Sequence, residues 1–286
     1  MIDLEALKPW LHRETRVLDT VSASLVARLA ALLDYSKPPM SGSTIPTNWY
    51  VVLFGCTERQ SLLATDGHPH KGDLLPPIPW SRRMLAGRRV EFPGDLRVGD
   101  EVVRTSRVTA ITPKHGRTGL MCFVTLRHEL RTCRGMAVIE EQDLVYRPGA
   151  ETQATGLETV SPDCVVGQEP IAAFTCSLLP DATLLFRYSA LTNNAHRIHY
   201  DSAYARDVEG YPDLLVNGGL STLLLWDFAE RSLQARLRCS ITRNLKPLFV
   251  SRALTMNVAT PQNGRAAAWV EDESGTMALE AKLELL

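Results

Sequence analysis

Apolar positions recur along this chain at two spacings, and the switches between them mark out its elements. Val21 to Leu33 reads as a helix, with Leu25, Leu29, Leu32 and Leu33 on one face and Asp19 and Thr20 supplying capping oxygens. Ser36-Lys-Pro-Pro ends it. From Val90 to Tyr146 the period shortens to two. Val98, Val102, Ser106, Val108 and Ala110 suggest strands around a turn at Gly99-Asp100. Leu120, Cys122, Val124 and Leu126 alternate with Met121, Phe123, Thr125 and Arg127, and Gly135 to Tyr146 follows as a further strand. Such alternation predicts an antiparallel sheet with one buried face.

The second half repeats this logic. Asn217-Gly218-Gly219 open a helix in which Leu220, Leu223, Leu224 and Trp226 leave little polar face, which predicts a buried helix. Lys246-Pro-Leu-Phe-Val leads to Leu254, Met256 and Val258, and a last hairpin turns at Ser274-Gly275. Met277, Leu279, Ala281, Leu283 and Leu285 then face one way, Glu280, Lys282 and Glu284 the other. Residues 95–103 and 246–254 match weakly, and each leads into more alternating strand. The pattern predicts an α+β fold in two similar halves.

Two stretches fit neither period. Cys56 to Arg89 is dense in Gly, Pro and His, which forbids helix interior and central strand, and a loop so long is more often functional or interfacial than a mere connection. Residues 148–180, with Pro148, Gly149 and Ser161-Pro-Asp, read as a connector between 1–147 and 181–286.

The chain has 286 residues and a net charge of -1, so nothing favours nucleic acid or an anionic membrane. No apolar stretch approaches the roughly 20 residues that span a bilayer, and the acidic start is unlike a secretory signal. Six scattered cysteines without a CxxC pair read as reduced thiols, and a cytoplasmic location is expected.

The densest chemistry lies in Phe186 to Asp201, where Asn193, Asn194, His196, His199 and Asp201 fall within a few residues of one another. This stretch resembles the signature of the MaoC-like acyl-CoA hydratases, most closely the mesaconyl-CoA/itaconyl-CoA hydratase and hydroxyacyl-thioester dehydratase branch. Aligned on Ala190-Leu-Thr, the family's acid/base His falls on His199, with Asp201 after it. The family's Asp falls on Asn194. Glu209-Gly-Tyr-Pro-Asp-Leu-Leu-Val-Asn-Gly-Gly-Leu resembles the segment that opens the family's central helix, with Asn217 where the family has His. Pro76-Pro-Ile-Pro-Trp-Ser-Arg-Arg-Met extends the likeness into the first half.

The resemblance implies a double hot-dog, two antiparallel sheets each wrapped round a central helix, with the catalytic motif in 181–286 only. It also implies reversible addition of water to a short α,β-unsaturated acyl-CoA, with a five-carbon dicarboxylic acyl group (itaconyl or mesaconyl) fitting best. Such chemistry needs a base for water, an acid for Cα and donors for the enolate oxygen. His199 is expected as acid/base, Asn194 as the group that holds water, and Gly218 as the oxyanion donor at a helix start. His196, Asp201, Asn217 and Gly219 are supporting candidates, Asp201 either orienting an imidazole or capping a turn. Arg197 or Arg187 is expected to face a distal carboxylate, and Arg82, Arg83, Arg88 and Arg89 the phosphates of coenzyme A.

Coenzyme A enters as part of the substrate, so no cofactor is expected. Asp66-Gly-His-Pro-His-Lys-Gly-Asp places His68 and His70 between carboxylates, but no matching His/Cys pair follows, and no metal is expected. Monomer and homodimer both stay open. The alternatives are a β-hydroxyacyl-thioester dehydratase of fatty-acid synthesis, a hot-dog thioesterase, and a non-catalytic acyl-CoA-binding protein.

Overall fold

The computed structural model describes residues 4–69, 74–80, 82–116, 119–148 and 170–286. His70, Asp73, Cys164 and the connector residues 149–169 lie outside the described residues, as does the side chain of Arg82.

Among the described residues, ten strands form one sheet: β1 (Glu14–Thr20), β2 (Arg82–Glu91), β3 (Glu101–Gly116), β4 (Gly119–Thr132), β5 (Gly135–Arg147), β6 (Ala172–Leu178), β7 (Leu237–Asn244), β8 (Leu254–Ala259), β9 (Arg265–Glu271) and β10 (Met277–Leu285). Their spatial order is β1-β3-β4-β5-β2-β7-β10-β9-β8-β6, with every neighbour antiparallel. Counted within its own half, each set of five has the order first, third, fourth, fifth, second. The two copies meet back to back at β2 and β7, where Gly87 faces Arg243 and Glu91 faces Cys239. Backbone there approaches so closely that a Cβ on Gly87 would lie 2.6 Å from the Thr242 carbonyl oxygen.

The expectation of two sheets is therefore corrected to one continuous ten-stranded sheet. Two boundaries are corrected as well. Arg82 to Arg89, read as the end of an irregular loop, belongs to β2, and the span read as connector contains β6, which pairs with β8. Nothing in the irregular composition of 56–80 announces the strand that follows it.

The helices are α1 (Leu4–Leu7), α2 (Ala23–Leu32), α3 (Ala182–Thr192), α4 (Ser202–Asp207) and α5 (Gly218–Leu233). Ser22, not Asp19 or Thr20, caps α2, its Oγ accepting from the Leu25 N–H at 3.2 Å. Asp19 and Thr20 instead end β1, and Asp19 accepts the Phe54 N–H at 2.6 Å.

Helix α5 is buried as its composition predicts: Leu220, Leu223, Leu225 and Trp226 are wholly inaccessible. It packs on β7, β8 and β9. The corresponding place in the first half is held by a short 3-10 segment, Thr47–Val52. The backbone entering it bridges Thr44 to Arg97, as the backbone entering α5 bridges Leu215 to Phe249. This segment leans on α5, with Asn48 Nδ2 donating to the Leu223 carbonyl at 3.2 Å and Thr47 Oγ1 bonding Glu230. One apolar core runs through both halves, from Val90, Val102 and Leu130 to Leu237, Val258 and Val270. No described helix is long and apolar enough to cross a membrane.

Candidate active site

The site is assembled where three chain segments meet at the start of α5. Asn193, in the left-handed conformation at φ 48°, ends α3, and the Asn194 N–H returns to the Ser189 carbonyl at 2.8 Å. The chain then makes a 3-10 turn, Arg197–His199, and enters α4 through Asp201. Asp201 Oδ1 accepts the Tyr204 N–H at 3.0 Å, and its Oδ2 accepts from Arg197 Nη2 at 2.7 Å. Of the two roles expected for Asp201, it performs the cap and orients no imidazole.

His199 is buried. Its Nδ1 lies 2.9 Å from the Leu215 carbonyl oxygen, an acceptor only, so Nδ1 carries the proton and donates. Nε2 is left unprotonated, its lone pair an acceptor. Burial lowers the imidazole to about 4, against the weaker upward pull of the Leu215 hydrogen bond, with the charge of His68 lowering it further. The ring is thus neutral at physiological pH.

Asn217 faces that lone pair, its Nδ2 lying 3.3 Å from His199 Nε2. Its Oδ1 accepts the Gly219 N–H at 2.7 Å, which makes it the N-cap of α5. With the Gly219 N–H occupied, the Gly218 N–H has no acceptor among the described residues and stands at the positive end of the helix. Geometry therefore ranks Gly218 ahead of Gly219 as a candidate oxyanion donor. It also moves Asn217 forward, since this carboxamide, not Asn194, is hydrogen-bonded to His199. The Asn194 side-chain Oδ1 accepts the His196 N–H at 3.0 Å, a turn contact that leaves its Nδ2 for other partners.

The long loop of the first half reaches the same place. His68 stacks on His196 with centroids 4.0 Å apart, and His196 sits edge-on to His199 at 5.5 Å. Asp66 Oδ2 accepts from His68 Nδ1 at 3.0 Å, which fixes that ring. Burial raises the Asp66 carboxyl, but hydrogen bonds from the His68 ring and N–H, with the charges of His68 and His196, outweigh it and bring it to about 2. Burial, then the neighbouring charges of His68 and His199, lower His196 to about 2. The loop docks through the Arg197 N–H on the Asp66 carbonyl at 2.9 Å. Gly67 makes this approach feasible: at φ +89° it lies where a Cβ would sit 1.8 Å from the Ala195 carbonyl oxygen.

The sequence offered one signal for this contact, the placement of Asp66 and His68 two residues apart in a rigid turn. Their neighbour His196 lies some 130 positions on and was not legible. Asp66, His68 and His196 also hold one ligand atom each within 4.8 Å of one another, the third ligand that the sequence alone did not supply.

The arginines fall differently from expectation. Arg197 is engaged by Asp201 and the Thr65 carbonyl and lies 4.1 Å over the Tyr204 ring, so its guanidinium is held by local partners at the docked loop. Arg187, exposed on α3, lines a separate open groove of about 700 Å³ with Leu184, Leu224 and Phe228. Arg88 is buried against Glu140 at 3.3 Å, away from solvent, and Arg89 is bonded to Asp143 and Glu141 on β5. The charge of Arg83 acts on His196, placing that guanidinium near the site.

The sequence profile of the hydroxyacyl-thioester dehydratase type 2 family matches residues 49–250. A mesaconyl-C(4)-CoA hydratase of Chloroflexus aurantiacus is 38% identical over 278 residues, covering 96% of each chain. A mitochondrial hydroxyacyl-thioester dehydratase type 2 of Schizosaccharomyces pombe is 33% identical over 88 residues, 29% of each chain. Among solved structures, a MaoC-like dehydratase superposes with TM-score 0.72 at 14% identity, covering 98% of this chain and 99% of the other. A Mycobacterium tuberculosis protein described as a double hot-dog superposes with TM-score 0.56 at 15% identity, covering 96% of each chain. With that profile spanning most of the chain, and a relative matched from end to end, the protein belongs to the hydroxyacyl-thioester dehydratase type 2 family and has its hot-dog architecture.

Proposed function

We propose that this protein is a hydro-lyase that adds water reversibly to the double bond of an unsaturated dicarboxylic acyl-CoA of the mesaconyl or itaconyl kind. The observation that carries the reading is a buried imidazole with its tautomer set, its Nε2 lone pair turned beside Asn217 toward the glycine-opened start of α5. Identity of 38% with a mesaconyl-C(4)-CoA hydratase supports the substrate class.

In the hydration direction, His199 Nε2 takes a proton from water as the oxygen attacks Cβ. The electron pair of the double bond moves toward the thioester carbonyl, and the enolate oxygen is held by the Gly218 N–H and the positive end of α5. The imidazolium then returns a proton to Cα, and collapse of the enolate leaves the hydroxyacyl thioester. Asn217 positions the imidazole and the helix start together, because one carboxamide bonds both. The scheme uses no metal or cofactor, and coenzyme A serves as the carrier of the acyl group.

A thioesterase would draw on a carboxylate at the reacting carbon. The carboxylate at this site, Asp66, is instead bonded to His68. Incubation with crotonyl-, itaconyl- and mesaconyl-CoA separates the readings. Loss of the enoyl absorbance is expected; release of free thiol alone marks hydrolysis, and no change with measurable binding marks a non-catalytic protein.

A further inference from the structure

On the inner face of the first half, strand register groups polar side chains where a core would otherwise continue. Ser106 faces His128 across β3 and β4, and His128 faces Glu140 across β4 and β5. Arg88 sits diagonally on β2, and Arg104 lies two residues before Ser106. Apolar clusters flank this group on both sides, one at Leu130 and Val138, the other at Val108, Cys122 and Val124. A cavity of about 110 Å³ opens among these groups and the 3-10 segment Thr47–Val52. Such a volume holds a few heavy atoms, far less than a whole cofactor.

Two guanidinium groups and one carboxylate line the cavity. Arg88 pairs with Glu140 at 3.3 Å, and burial lowers His128 to about 4, so it is neutral. Arg104 has no carboxylate on the cavity wall beyond that shared Glu140. Asp19 also acts on it from outside the cavity wall, its two oxygens accepting the N–H groups of Thr20 and Phe54. The Nε atoms of Arg88 and Arg104 are buried without partners, and the Tyr50 hydroxyl lies against Arg88 and Glu140 without a well-formed hydrogen bond. Arg88 and Tyr50 are 7% and 4% exposed, so these are donors closed off from bulk solvent. Burial raises both Tyr50 and Tyr188, keeping their hydroxyls protonated.

The cavity also abuts the active site. Tyr188 is one of its walls, and a Cβ on Gly219 would meet the Tyr188 hydroxyl at 2.6 Å. The Gly219 N–H binds Asn217, which binds His199.

We propose that this cavity is the subsite for the free carboxylate of a dicarboxylic acyl chain, held by Arg88 and Arg104 with the hydroxyls of Tyr50 and Tyr188. The thioester carbonyl then lies at Gly218 and the chain passes Tyr188 into the first half. This deepens the proposed function and rests on it for the position of the thioester. It replaces Arg197 and Arg187 with two arginines that the sequence did not associate with a carboxylate.

The test compares binding of succinyl-CoA with butyryl-CoA, saturated thioesters that differ by a carboxylate in place of a methyl and do not undergo hydration. The wild-type chain is expected to bind succinyl-CoA more tightly. Arg104→Met should reduce that preference by about tenfold, the usual scale for loss of one charge-assisted contact, and Tyr50→Phe by less. Arg88→Met is made together with Glu140→Gln so that no buried carboxylate is left unpaired. No preference in the wild type, or a preference that survives Arg104→Met in a folded protein, overturns the assignment. So does an equal loss of both ligands, which marks a structural role. Because neither ligand reacts, the result stands apart from the hydration chemistry, whose own failure appears as wild-type inactivity on enoyl thioesters.

Discussion

The buried imidazole makes a kinetic prediction that an ordinary histidine would not. Burial brings His199 to about 4, whereas an unperturbed histidine titrates near 6.5. At pH 5 the shifted ring is about 90% neutral and an unshifted one about 3%, so the two cases differ by about thirtyfold in available base. The assay is kcat/KM for mesaconyl-pantetheine between pH 4.5 and 8. Pantetheine removes the phosphates of coenzyme A, whose second ionisation near pH 6 would mask the limb. Circular dichroism at each pH separates titration from unfolding. The value at pH 5 is expected to stay within about twofold of that at pH 7.5. A thirtyfold fall with the fold intact would refute a desolvated base at position 199.

Other expectations follow from the same geometry. Asn217→Ala should cost about 1 kcal/mol in denaturant titration through loss of the α5 cap, and should lower turnover as well. Asn217→Asp keeps the cap and sets a negative charge beside His199, so the acid limb should move upward; an unmoved limb would separate Asn217 from the imidazole. Gly67→Ala forces a side chain into the Ala195 carbonyl and should undock the Asp66–His68 loop, lowering kcat/KM by about tenfold or more with the sheet retained. Stability should fall with acid, because His128 and His199 both titrate at about 4 in the folded chain and near 6.5 when unfolded. His196, lowered further, adds a third group, so stability is full above pH 6.5 and falls toward pH 4 with a slope approaching about 4 kcal/mol per pH unit. Urea midpoints at pH 7, 6 and 5 measure it, and a flat profile would contradict their burial.

Much of the fold was legible because burial writes a period into sequence. The alternation of Cys122, Val124 and Leu126 and the all-apolar run after Gly219 gave β4 and α5 directly. The weak match of 95–103 with 246–254 marked equivalent turns before β3 and β8. The strand β2 was hidden because four of its residues are arginines, two of them held by acidic side chains on β5. Likewise, β6 lies at the sheet edge with mostly exposed residues, and its short alternation of Phe174, Cys176 and Leu178 with Thr175 and Ser177 falls inside the span read as connector.

At the site, His199 and the glycine-started helix were readable from local order. The Asp66–His68 contact with His196 and the Tyr50–Arg88–Arg104–Tyr188 cavity were not, since each joins residues far apart in the chain. Asn217 was read as a departure from a family histidine, and only the folded chain gives it two partners at once.

The central claim is tested most directly by mesaconyl-CoA hydration in a His199→Ala chain whose circular dichroism matches the wild type. Loss of the acid/base should lower kcat by about a hundredfold to ten-thousandfold while thioester binding persists. Turnover close to the wild-type rate would take His199 out of the chemistry and contradict the account.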